Sequence, residues 1–212
     1  MNTVILCNGE MPFHTAALNA LHQADHIVCC DGAINHLAQF GTLKATIYLV
    51  GDGDSCNLQG TPSQNFVPDP DQETNDLTKA VIFCIKNKWN PITILGATGL
   101  REDHTLGNIS LLGQYAQMGI EAIMITNYGT FTSITHSTTL PSFPKQQVSL
   151  FSLTPDTPIT VKGLKYPINN RALHQWWEGT LNEAEGHQFE VHFDHGTVLI
   201  YQTHEAKTTD HP

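Results

Sequence analysis

Two carboxylates spaced two apart, Asp52 and Asp54, stand in GDGDS directly behind the apolar run Ile47-Tyr48-Leu49-Val50. In an extended chain such residues point the same way, and like charges side by side repel unless a cation sits between them. Oxygen-only ligands of this kind suit Mg²⁺, which takes one or two carboxylates together with substrate phosphates. In DQETNDLTKA, residues 71–80, Asp76 and Lys79 stand one turn apart near a helix start. A carboxylate there can join the metal while the ammonium reaches a phosphate, although the same spacing serves an ordinary i, i+3 pair on a capped helix. GATGLREDHTLGN, residues 96–108, supplies the anion-binding part: a Gly-rich turn offers backbone N–H groups at a helix start, and Arg101 adds a fork of donors. Neither G-x-x-x-x-G-K-[ST] nor a G-x-G-x-x-G behind the first strand is present, so the common nucleotide fingerprints do not apply.

These residues need a scaffold that gathers them, and the first half of the chain reads as one. Short apolar strands are expected at Val4 to Cys7, Ile27 to Cys30, Ile47 to Val50, Ile92 to Leu95 and Ala122 to Thr126, alternating with helical patterns. That is the signature of a parallel sheet covered on both faces. One helical stripe runs Leu77, Val81, Cys84, Ile85 and a second Leu106, Ile109, Leu112, Ala116; both read as core. In an open parallel sheet the ligand crevice lies at the carboxyl ends of the strands. There the sequence places Asn8-Gly9, Asp31-Gly32, Gly51 to Ser55 and Gly96 to Gly99. Turn chemistry accounts for any one of these, but four in succession point to a shared site.

After about Gly129 the texture changes to Thr, Ser and Pro with short alternating runs, predicting a second, all-β domain. Asp194-His195-Gly196 between two alternating runs predicts a β-hairpin over residues 188–203. The fold class expected is therefore α/β: a parallel-sheet three-layer catalytic domain over residues 1–130, followed by a small all-β sandwich domain over 131–212. His192 and His195 flank or occupy that turn with no Cys beside them and read as surface residues rather than a metal pair.

With 212 residues and 40% hydrophobic content the chain can bury an ordinary core. Twenty acidic against ten basic residues, a formal charge of −10, argue against nucleic acid or an anionic membrane as partner. A polyphosphate ligand then needs a metal as intermediary. MNTVILCNGE carries no basic leader and no segment approaches the length of a membrane span, so a cytoplasmic protein is expected. Five cysteines without a C-x-x-C pair fit a reducing compartment, and Cys7, Cys29, Cys30 and Cys84, all in apolar stretches, read as core thiols.

CDGAINHL (30–37), GDGDS (51–55), DQETNDLTKA (71–80) and LGATGLREDHTLGNISLL (95–112), followed by a β domain containing GLKYPI (163–168), resemble the thiamine pyrophosphokinase family. The resemblance spans nearly the whole chain. It implies an α/β catalytic domain plus a β-sandwich, a homodimer, and Mg²⁺-ATP as donor of a pyrophosphoryl group to the hydroxyl of thiamine, with release of AMP. Position by position it implies Asp52, Asp54 and Asp76 as metal and catalytic carboxylates. Asp31, Gly32, Ser55, Gln72, Lys79, Gly96, Thr98, Arg101, Asp103, His104 and Asn108 fall on its ATP side. Which aspartate acts as base stays open. In the second domain Asn182 is implied against thiamine, with an aromatic residue, Tyr166, Trp176 or Trp177, to stack on it. The chain departs from the family in having Leu100 where Gly follows Gly99, Asn75 where Thr is frequent, and Leu181 where Ser is usual.

Competing readings are a sugar-nucleotide transferase, an aspartyl-phosphate phosphatase and a nucleotide- or thiamine-binding sensor without catalysis. The phosphatase wants an aspartate where this chain has Asn8, and the sensor has only Leu100 and Leu181 in its favour.

Overall fold

A computed structural model describes residues 1–52, 65–71 and 73–207, and the chain divides into two compact units. The first comprises residues 1–111 and 120–127, the second 112–119 and 128–212.

The first unit carries six strands: β1 (Thr3–Leu6), β2 (His26–Cys30), β3 (Thr46–Gly51), β4 (Phe66–Pro68), β5 (Ile92–Leu95) and β6 (Ala122–Ile125). They lie in the order β6-β5-β1-β2-β3-β4 and every neighbouring pair is parallel. β1 is buried at all four positions and β2 at four of five, which is why these strands read as unbroken apolar runs rather than alternations. Four helical segments connect the strands: α1 (Thr15–His22) between β1 and β2, a 3₁₀ segment (Asp31–Phe40) between β2 and β3, α2 (Asp76–Lys86) between β4 and β5, and α3 (Glu102–Gln117) between β5 and β6, the residues of α3 from 112 on belonging to the other unit. Leu6, Leu21, Ile27, Cys29, Ile34, Leu49 and Leu95 meet in one core cluster.

Two stripe positions depart from expectation. Leu77, Val81 and Cys84 of α2 are buried, but Ile85 is 39% exposed; eight residues from Leu77 it sits about 80° round the helix, at the edge of the apolar face. On α3 the inward residues are Leu112, Gly113 and Tyr115, while Leu106, about 120° from Leu112, is 55% exposed.

The second unit contains two antiparallel sheets. One, ordered β12-β9-β14-β7, combines β7 (Gly129–Ile134), β9 (Gln146–Ser152), β12 (Asn182–Glu183) and β14 (Val198–Ala206). The other, ordered β11-β10-β13-β8, combines β8 (Thr138–Pro141), β10 (Pro158–Lys162), β11 (Ile168–Ala172) and β13 (Gln188–His192). Val148, Leu150, Val198 and Ile200 from the first share a core with Ile159, Val161, Phe189 and Val191 from the second.

The hairpin expected over residues 188–203 is not formed. β13 pairs with β8 and β10, and β14 with β7 and β9, so the turn through Asp194-His195-Gly196 carries the chain from one sheet to the other. Alternation specifies which side chains face the core, and both runs satisfy it from opposite sides; it does not specify the partner strand.

Candidate active site

The strand order reverses at β1. β2, β3 and β4 follow on one side of it, whereas β5 returns to the other. The crevice at such a reversal, outside the carboxyl ends of the strands, is where open parallel sheets take ligands. A cleft of about 560 Å³ lies there, within the first unit, lined from β1 by Cys7, Asn8 and Gly9 and from β2 by Cys30, Asp31 and Gly32. The helix starts contribute Asn75 and Asp76 from α2 and Arg101, His104 and Asn108 around the first turns of α3, with Gly96, Ala97, Gly99 and Leu100 between them. Two helix N-termini thus present their positive ends to one space of small-ligand size.

The local chemistry explains how the walls are held. The β1 and β5 ends continue as a backbone ladder, with Cys7 N donating to Leu95 O at 2.8 Å, Gly9 N to Gly96 O at 2.7 Å and Glu10 N to Thr98 O at 2.8 Å. A Cβ on Gly9 would run into the Gly96 and Thr98 carbonyl oxygens, and one on Gly96, at φ +64°, into Cys7 O, so this approach needs both glycines. Asn108 Nδ2 donates to Ala97 O at 2.8 Å and ties the glycine turn to α3. Asn75 caps α2, its Oδ1 accepting from Thr78 N at 3.0 Å, as a Thr in that place would. Its Nδ2 reaches Asn108 Oδ1 at 3.4 Å.

The charged residues divide into two groups. Asp31 stands at the tip of β2 with φ +40°, its carboxylate packed against Gly51. Asp76 opens α2; its Oδ1 lies 3.6 Å from the ammonium of Lys79, which also donates to Asp69 O at 3.3 Å. Lys79 is only 5% exposed, so its charge is spent within the unit, beside Asp76 rather than on the cleft wall. Arg101 is largely exposed and forks onto Asp103, Nε donating to Oδ1 at 3.1 Å. That hydrogen bond from Arg101, with a second from the His104 N–H, holds the Asp103 carboxyl down to about 2 and pushes the guanidinium up in turn.

Of the residues singled out from the sequence, Asp31, Gly32, Asp76, Gly96, Arg101, His104 and Asn108 converge on the cleft. Lys79, Thr98 and Asp103 stand beside it, and Asp52 is exposed just beyond the tip of β3. Asp54, Ser55 and Gln72 lie outside the described residues. Among the described residues no three His, Cys, Asp or Glu side chains form a set able to hold a metal by themselves. The donors available at the cleft are nevertheless carboxylate oxygens, which fit Mg²⁺ when substrate phosphates complete the shell.

The sequence also passed over two thiols. Cys7 and Cys30, read as core, line the cleft, Sγ to Sγ 3.8 Å, and Cys30 Sγ reaches Asp76 O at 3.6 Å. The contact with Cys7, followed by burial, pushes the Cys30 thiol well up, so it stays protonated. An apolar run announces burial, but not that a strand end also borders a cavity.

The model of the thiamin pyrophosphokinase catalytic domain matches residues 17–124, just over half of the chain, and that of the thiamin pyrophosphokinase substrate-binding domain matches residues 129–201. The chain belongs to the thiamin pyrophosphokinase family. Membership makes it a transferase, a thiamine diphosphokinase. Thiamin pyrophosphokinase 1 of Caenorhabditis elegans is 27% identical over 183 residues, 80% of this chain and 75% of that protein. Among solved structures, thiamine pyrophosphokinase from Bacillus subtilis superposes with a TM-score of 0.79 at 22% identity, over 95% of this chain and 98% of the other. The yeast thiamin pyrophosphokinase gives 0.77 at 16%, over 95% and 86%. These likenesses carry the fold. The catalytic match takes in the cleft residues from Cys30 to Asn108, while Cys7, Asn8 and Gly9 precede it.

The residues that the resemblance implied against thiamine, Asn182, Tyr166, Trp176 and Trp177, all lie in the second unit. Asn182 is buried and its amide is engaged on both ends: Oδ1 accepts from Tyr166 N at 3.0 Å and Glu183 N at 2.9 Å, while Nδ2 donates to Tyr166 O at 2.7 Å. It therefore pins the backbone beneath Tyr166, whose ring is exposed. Trp176 packs edge-on against Phe151 at 5.7 Å, and Trp177 stands 73% exposed beside it in a 3₁₀ turn (Trp176–Gly179).

Proposed function

We propose that the cleft between β1, β2 and β5 takes ATP with Mg²⁺, and that the chain transfers its β,γ-pyrophosphoryl group to thiamine, giving thiamine diphosphate and AMP. The observation that carries this reading is the convergence of Asp31, Asp76, Arg101, His104 and Asn108 with two helix N-termini on one cleft at the strand-order reversal. Residues 1–130 act as the ATP-binding catalytic domain, a three-layer α/β unit, and 131–212 as the sandwich that binds thiamine and dimerises.

Asp52, Asp54 and Asp76 would hold Mg²⁺. Held there, the ion would supply positive charge against phosphate oxygens that a protein of formal charge −10 repels. The glycine turn of residues 96–99 and the start of α3 offer N–H groups to phosphate oxygens, and Arg101, released from Asp103, adds its fork. One of the carboxylates accepts the proton of the thiamine hydroxyl as that oxygen attacks the β-phosphorus. The bond from the β-phosphorus to the oxygen bridging to the α-phosphorus breaks, and AMP leaves with the electron pair. Tyr166 or Trp176 stacks on the aminopyrimidine, and Asn182 acts through the backbone of Tyr166.

The reading includes a homodimer with thiamine at the subunit boundary, and a fully active monomer in sedimentation would remove that part. It also includes a cytoplasmic location; among the described residues no helix is long and apolar enough to cross a membrane.

The test is incubation of purified protein with thiamine, ATP and Mg²⁺, followed by resolution of the nucleotides. AMP forming in step with thiamine diphosphate is expected. ADP in step with thiamine monophosphate would place attack at the γ-phosphorus and overturn the proposal. ATP bound without turnover would favour the sensor reading and turn attention to Leu100 and Leu181.

A further inference from the structure

Just after β6, Asn127 is 7% exposed and uses every hydrogen-bonding valence of its amide on one segment. Its Oδ1 accepts from Phe13 N at 2.7 Å and His14 N at 3.1 Å. Its Nδ2 donates to Glu10 Oε2 and to Met11 O, both at 3.0 Å. All four partners belong to the loop that joins β1 to α1. The other margin of that loop is the cleft wall: Asn8 and Gly9 line it, Gly9 and Glu10 donate to the 96–98 turn, and the Glu10 Cβ occupies the space beside Gly99 where a side chain would clash.

We infer that Asn127 is a positioning residue for the nucleotide side of the cleft. It touches no substrate. It clamps the 10–14 segment from behind, so that Glu10 presses on Gly99 and the backbone of Asn8, Gly9 and residues 96–99 keeps one shape facing the phosphates. Buried amides are costly unless fully paired, and this one is paired entirely with the loop and with none of the strands beside β6, so what it fixes is the loop. The contact with Glu10 is the strong member, because its acceptor is a carboxylate. The inference rests on the cleft being the ATP site.

Asn127→Asp keeps size and acceptor but turns a carboxylate against Glu10 and Met11 O. It is expected to raise the KM for ATP about tenfold, with kcat and the KM for thiamine moving less than about twofold, because a displaced wall weakens nucleotide binding without touching the reacting oxygen. Glu10→Ala, which leaves Asn127 in place, is expected to shift the same constant in the same direction and serves if Asn127→Asp fails to fold. The double variant Asn127→Asp/Glu10→Gln exchanges donor and acceptor, remaking that bond, and is expected to recover most of the loss. An unchanged KM for ATP in Asn127→Asp and in Glu10→Ala, even with lowered melting temperatures, would reduce Asn127 to a folding role and overturn the inference. A double variant no better than Asn127→Asp would overturn the proposed route through Glu10. A wild-type protein that neither binds nor turns over ATP would instead remove the underlying reading of the cleft.

Discussion

Leu100 and Leu181 hold φ +64° and +59°, a region that costs a residue with a Cβ about 1–2 kcal/mol, and both side chains are mostly exposed, with little packing to offset it. They are also two places where the chain leaves the pattern of the family it resembles. Leu100 follows Gly99, itself at φ +74°, so the turn needs two consecutive left-handed residues and Gly-Gly would meet that without strain. Leu100→Gly is expected to raise the unfolding free energy by about 1 kcal/mol in urea titration, less the entropy glycine adds to the unfolded chain. A loss of stability would show that the exposed leucine packs in solution. Asp103 gives a pH prediction. Its folded-state value of about 2 lies below the unfolded reference, so the pair with Arg101 contributes fully above pH ~4 and is lost as pH falls through about 2. Both partners are exposed, so the readout is the carboxyl itself: an NMR titration midpoint near 2 is expected, moving up toward ~3.9 in Arg101→Lys, which lacks the fork. A midpoint unmoved by that change would mean that the His104 N–H alone sets it.

At the scale of elements, α2 is where the cleft and stability meet. Asn75 supplies both the N-cap of α2 and a reach to Asn108 on α3, so Asn75→Ala is expected to cost about 1 kcal/mol in thermal unfolding and Asn75→Thr far less. Equal losses would mean that the contact with Asn108, not the cap, carries the effect. Five of the six strands of the first unit were legible to within a residue or so, and β5 coincides with the run Ile92 to Leu95, because a strand buried on both faces is an apolar run bounded by turn residues. β4 was not legible: three residues at an edge, exposed at both ends, leave no run to read. The cleft rim was visible because each piece follows a strand, and parallel strands all end on one side. Cys7, Cys30 and Asn127 were not, since the first two look like any core thiol and the third acts on residues more than a hundred positions away. The arch between β13 and β14 was mistaken for a hairpin because side-chain alternation is common to both arrangements.

For the whole molecule the governing fact is charge. A formal charge of −10 works against uptake of a polyanion, and accompanying cations offset it. Stripping divalent ions with a chelator is expected to cut turnover at least about 100-fold, recovered by adding Mg²⁺, with the melting temperature of the nucleotide-free protein unchanged. Unchanged turnover would dismiss the metal role proposed for Asp52, Asp54 and Asp76 together. The strand order of the second unit has a consequence during synthesis. β14 comes after the other strands of its sheet, yet it lies between β7 and β9 and holds both along most of its length. Until residues 198–206 emerge, β7 and β9 each lack a neighbour, two open edges of the kind that recruit strands from other chains. A nascent chain halted at residue 197 would thus be a template for aggregation, and release of β14 is the event that seals the sheet.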